Sequence, residues 1–107
     1  METIMSEKQM LDKFLSLKCP NEMDWEELEH SISQLHDNFI YKLYKKFPML
    51  SKDDIRIVLL MRINMQNVDI AKLLHILPSS FRMRRCRLKK KMNISCKSLS
   101  EFIKNLF

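Results

Sequence analysis

The sequence predicts an all-α fold on three observations. No glycine occurs in 107 residues; apolar side chains recur at spacings of three and four; and no segment sustains the alternation that a half-buried strand needs. With 46% hydrophobic residues the chain has ordinary globular content, enough for one compact unit around one core. Six helices joined by short loops are expected, over three segments: an N-terminal helix and linker (1–23), a long coupling or dimerisation helix (24–49) and a C-terminal bundle (50–107).

The first helix runs from about Glu7 to Lys18, with Met10, Leu11, Phe14 and Leu15 on one face. Cys19-Pro20-Asn21 ends it, because the residue before a proline is pushed out of helical geometry. Asp24 reads as the N-cap of a second helix, with Glu27 completing a variant capping box. In that long helix Trp25, Leu28, Ile32, Leu35, Phe39, Leu43 and Phe47 form a seam, suited equally to an intramolecular core or to a second copy of the chain. Pro48 stops it. Ser51 caps a third helix through "KDDIRIVLLMRI", whose Asp53 and Asp54 suit the positive end of the helix dipole. Ile55, Val58, Leu59 and the stem of Arg62 form its inner face. Asn64 follows where a positive φ is often required, and Asn is the best substitute when Gly is absent. Asn67 caps a short fourth helix, "VDIAKLLHI", with Ile70, Leu73, Leu74 and the small Ala71 on its inner side. Leu77-Pro78 opens a fifth, basic helix. The last, Ser98 to Leu106, offers Leu99, Phe102, Ile103 and Leu106 to the core.

Charge divides the chain. Residues 1–37 hold nine acids and three Lys, a balance of −6, whereas residues 38–107 hold four acids and sixteen bases, a balance of +12. No acid lies between Asp69 and Glu101. In "PSSFRMRRCRLKKKM", Pro78 to Met92, seven of fifteen residues are Arg or Lys. A polyanion is the natural partner of that segment. Other classes find less support. The longest apolar run, Ile57 to Met61, is far short of the ~20 residues a membrane span needs, and "METIMSEKQM" lacks the apolar core of a secretory signal. A cytoplasmic protein is the default expectation. Cys19, Cys86 and Cys96 form no C-x-x-C pair, which argues against a disulfide framework and against zinc. His30, His36 and His75 are scattered with no carboxylate or Cys at catalytic or ligand spacing, so no enzyme, metal or cofactor is expected. Trp25 and the nine Met read as core filling.

Two short helices joined by a tight turn, the second strongly basic, are the parts of a helix-turn-helix. The first crosses the phosphate backbone and buttresses the second, which needs one apolar face and one face of hydrogen-bond donors. At 100° per residue, Phe81, Leu88 and Met92 share a narrow inner stripe. Ser79, Arg82, Met83, Cys86, Arg87 and Lys90 lie on the outer side and are the candidates for base contacts. Asn67, Lys72, Ser80, Arg84, Lys89, Lys91 and Lys97 are the candidates for phosphate. Arg85, nearer the inner stripe, is a candidate partner for Asp69 or Glu101. Cys86 is read as a small groove-facing residue rather than an oxidation sensor.

From Leu50 to Ile94 the sequence resembles the LuxR/GerE-type helix-turn-helix, through Leu50, Ser51, Leu59, Asn67, Ile70, Ala71, Leu74, Ile76, Ser80, Leu88, Lys91 and Met92. It is more similar still to the version at the C-terminus of Bacteroidetes-type sensor regulators, many of which carry tetratricopeptide repeats upstream. Trp25, Glu26, His36, Phe39, Leu43, Phe47, Pro48 and Leu50 follow that version's preceding helix and extend the likeness to residues 25–107. The resemblance implies the output domain of a transcriptional regulator that binds duplex DNA, with a sensor region or RNA polymerase as a further partner. Four departures stand out: Asn64 in place of the turn Gly, Met92-Asn93 in place of Leu-Gly, Asp69 for Glu, and Arg84 for His. A fifth is Leu77, where the family often has a capping Ser. Either the cap is weakened by about 1 kcal/mol or the basic helix begins at Ser79.

The reading to be tested is therefore a DNA-binding regulator that pairs through the 25–47 seam. Against it stand a solvated charged face, an anionic-lipid or calmodulin-like helix, RNA, and a protein-interaction module of sigma-region type, or a degenerate helix-turn-helix, that reads no DNA.

Overall fold

The structure, a computed structural model, describes residues 6–36, 38–95 and 98–106. Among them are seven helices and no strand: α1 (Glu7–Ser16), α2 (Glu22–Leu35), α3 (Phe39–Lys46), α4 (Lys52–Arg62), α5 (Asn67–Leu73), α6 (Pro78–Lys91) and α7 (Leu99–Lys104). The all-α expectation is met, with one helix more than the spacing predicted.

The extra helix comes from a break in the expected long one. α2 ends at Leu35 with His36 as its C-cap, and Asn38 takes the left-handed region at φ 61°. The Asn38 N–H donates to the Ser33 carbonyl at 3.0 Å, which closes α2 before Phe39 opens α3. A heptad-like spacing cannot reveal this, because the apolar rhythm runs on through the turn. The break folds the seam inward: Trp25, Leu28, Ile32, Phe39, Leu43 and Phe47 are all buried within the chain, and only Leu35 is exposed. As a surface for a second copy, the seam is already occupied.

Caps fix the element boundaries. α1, α2 and α4 each begin with a capping box, from Ser6 to Gln9, Asn21 to Asp24 and Ser51 to Asp54. Asp24 is thus the third helical residue of α2 rather than its N-cap, so α2 starts earlier than the sequence indicated. Ser51 caps as expected. α5 and α6 have no side-chain cap; Gln66 and Leu77 occupy those positions. Asn67, expected as a cap, is instead the first residue of α5. With Leu77 uncapped, α6 begins at Pro78, whose fixed φ suits the first helical position.

The glycine-free chain ends three helices with Asn or His in the left-handed region. Asn64, His75 and Asn93 sit at φ 71°, 57° and 55°. Each is followed by a residue whose N–H reaches five positions back: Met65 to Leu60, Ile76 to Ala71, and Ile94 to Lys89, at 3.0 to 3.1 Å. These are Schellman turns, which use otherwise unpaired carbonyls. Only the first was expected. The last stops α6 cleanly at Met92-Asn93, so the departure from Leu-Gly does not lengthen the helix.

α4 is the centre. Ile55, Ile57, Val58, Leu59, Leu60 and Met61 are all buried, nearly all round the helix, because α2 and α7 both pack on it. The narrower face expected from spacing is only part of this. Arg62, expected to contribute its stem, does more: its guanidinium donates to the carbonyls of Ile103, Lys104 and Leu106 at 2.8, 2.6 and 3.1 Å. It also lies 5.0 Å from the Phe39 ring centre. A cation there answers the negative end of α7 and ties α3, α4 and α7 together. One buried cluster runs from Met10 to Leu106, across all three segments that the sequence suggested.

Candidate nucleic-acid interface

α5 packs on α6, and the four residues 74–77 connect them. Ile70, Ala71 and Leu73 are buried on α5, with Leu74 partly so. On α6 the inner stripe is as expected: Phe81, Leu88 and Met92 are 1%, 1% and 3% exposed. Burial of three side chains along one line fixes the rotation of α6, and so fixes which residues face out.

Ser79, Ser80, Arg82, Met83, Cys86, Arg87 and Lys90 are all exposed, Arg84 and Lys89 partly buried. Arg82, Arg84, Arg87, Lys89 and Lys90 form no ion pair among the described residues. Five cations on a helix of about 21 Å thus stand outside any ion pair among the described residues, three of them exposed. Arg82, Arg85, Cys86 and Lys89 line a shallow basic cleft against Leu99 of α7.

Other candidates are placed differently. Lys91 is ion-paired with Asp54 at 2.7 Å, so its ammonium links the end of α6 to the first turn of α4 rather than standing free for phosphate. Lys72, though exposed, lines a cleft shared with α1. Asn67 is partly buried, its side-chain oxygen shielded from solvent and without a hydrogen bond. Lys97 and Cys96 lie outside the described residues. Arg85 pairs with neither Asp69 nor Glu101; its guanidinium lies 5.5 Å from the Phe81 ring centre. An Arg four residues after a Phe on a helix was the available signal for this contact.

The sequence did not associate Asp53 and Asp54 with the basic helix. They line a cleft with Arg84, Arg87 and Lys91, so the acids of α4's first turn border the basic face at one edge. Burial acts to raise the Asp54 carboxyl, but hydrogen bonds from Lys91 and from Ser51 outweigh it and hold the group below its ordinary range. Asp54 therefore serves two elements at once: it completes the α4 capping box, accepting from the Ser51 N–H at 3.0 Å, and it anchors α6. Comparison with family models, curated proteins and solved structures gives no match to this chain. The likeness to LuxR/GerE-type domains rests on the quoted residues alone.

Proposed function

We propose that the chain is the DNA-binding part of a transcriptional regulator, with α5 and α6 as a helix-turn-helix and α6 reading the major groove. The observation that carries this reading is the set of five cations, in no ion pair among the described residues, on the outer side of a helix whose other face is locked in the core. A groove about 12 Å wide accepts such a helix. Arg82, Arg87 and Lys90, with Ser79, Met83 and Cys86 among them, are the side chains for base edges. Arg84, Lys89 and Ser80 are placed for phosphates, and α5 crosses the backbone. Two copies on paired half-sites would meet through a surface other than the buried 25–47 seam.

The test is a duplex gel-shift series with Arg82→Ala/Arg87→Ala/Lys90→Ala. At about 1–3 kcal/mol for each good base contact, affinity should fall at least about a hundredfold while the melting transition stays in place. Unchanged binding by the folded variant would sink the groove assignment. A protein-interaction module is the second reading, favoured by Leu77 and Met83, which are 70% and 66% exposed on and beside α6. A stable protein complex with no duplex binding would select it.

A further inference from the structure

The C-terminal end of α1 lies against α5 and leaves an open cleft of about 300 Å³, at the lower end of the volumes that small-molecule sites occupy. Its floor is apolar. Phe14 and Met65 are buried at its base, Leu73 forms a wall, and Leu15 and Leu17 come from the end of α1. Leu15 belongs to the side of α1 whose spacing predicts burial, yet it is 49% exposed. Apolar surface is thus left wet in a concave place.

The rim is charged. Lys18 and Lys72 stand on it with Asp69 and His75. Neither ammonium forms an ion pair among the described residues, and two ammoniums against one carboxylate leave a positive excess. The cleft is also braced. The His75 Nε2–H donates to the Lys18 carbonyl at 2.7 Å, fastening the end of α1 to the end of α5. His75 itself stands at φ 57°, a conformation that persists in a non-glycine residue only where its surroundings fix it. An apolar floor, a cationic rim and fixed walls are the requirements for a ligand with a short hydrocarbon chain and an anionic head.

We propose that this cleft binds a small amphipathic carboxylate, its chain on the Phe14, Leu15 and Leu17 floor and its head beside Lys18 and Lys72. The site is independent of the nucleic-acid reading, and its test uses no DNA. Calorimetric titration of the full chain with octanoate, octanol and octylamine separates chain from head group. Octanoate binds saturably and about fivefold tighter than octanol, the ratio that one partly exposed ammonium–carboxylate pair supplies, and octylamine binds weakest. Leu15→Glu abolishes octanoate binding. Lys18→Gln, a change at an exposed position that leaves folding intact, weakens octanoate toward the level of octanol. Absence of saturable heat with octanoate, equal binding of octylamine, or wild-type octanoate affinity in the Lys18→Gln protein would overturn the proposal.

Discussion

α2 and α6 are both fourteen residues long, carry charge of opposite sign, and use it in opposite ways. On α2, Glu22 pairs with Lys52 and Arg56 at 3.1 and 2.7 Å, and Asp24 and Glu27 both meet Lys13, at 3.4 and 2.9 Å. These carboxylates hold α1 and α4 against α2. Arg56 adds a guanidinium 4.9 Å from the Trp25 ring centre. Among the described residues, Lys91 alone of α6 enters an ion pair, and Arg85 stacks on its own helix's Phe81. Charge on α2 ties helices together, whereas most of the charge on α6 forms no ion pair among the described residues. Composition alone does not separate the two cases, since both helices are dense in charge.

The inner and outer sides of α6 should differ most in energy. Phe81→Ala should cost about 3–5 kcal/mol in denaturant titration, and Leu28→Ala on α2 about 2–5, whereas Met83→Ala stays within about 0.5. Equal costs at Phe81 and Met83 would mean that the rotation of α6 is wrong.

Asp54→Asn comes next, because it removes the charge that anchors Lys91 of α6 and leaves the Ser51 N–H only a neutral acceptor, about 1 kcal/mol at neutral pH. The folded carboxyl lies below its ordinary range. Its contribution is therefore present above the ordinary carboxylate value and is lost as pH falls through the lower, folded one. Melts in acid should bring wild type and variant together; a constant gap would show that the carboxylate's charge is not involved.

Lys13→Gln and Lys90→Gln set the sharpest contrast between the two helices. The first breaks the link between α1 and α2 and should cost up to about 1 kcal/mol, while the second should cost nothing measurable. A loss at Lys90 as large as at Lys13 would give α6 hidden partners and remove the distinction.

The smallest effect concerns the junction where α2 meets α3. Burial, and then the Arg62 guanidinium, hold the His36 imidazole below its ordinary value, against a weaker opposite pull from Glu7. Arg62 donates toward His36 Nδ1 at 3.3 Å, which requires the neutral ring. Stability should thus fall as pH drops from the ordinary histidine value through the folded one, and His36→Gln should flatten that part of a melting-temperature profile.

Much of this was legible. Spacing found the inner stripe of α6, the stops at Pro20 and Pro48, and the Ser51 cap, because each depends on residues close in sequence. The break at Asn38 was hidden, since Phe39 keeps the apolar rhythm of Ile32 across a turn. The Asp54–Lys91 link spans thirty-seven positions and the Arg62 clamp on α7 forty-one to forty-four; only packing brings such groups together. The outer face of α6 followed from periodicity, but which of its cations stay unpaired depended on those distant acids.

That the charge of α6 receives a polyanion is a proposal on which the salt dependence of duplex binding bears without intermediate steps. With Arg84 and Lys89 at phosphates and Arg82, Arg87 and Lys90 in the groove beside them, the logarithm of the binding constant should fall linearly with the logarithm of salt concentration, with a slope between about −2 and −4.5. A slope near zero, or no duplex binding at low salt, would contradict it.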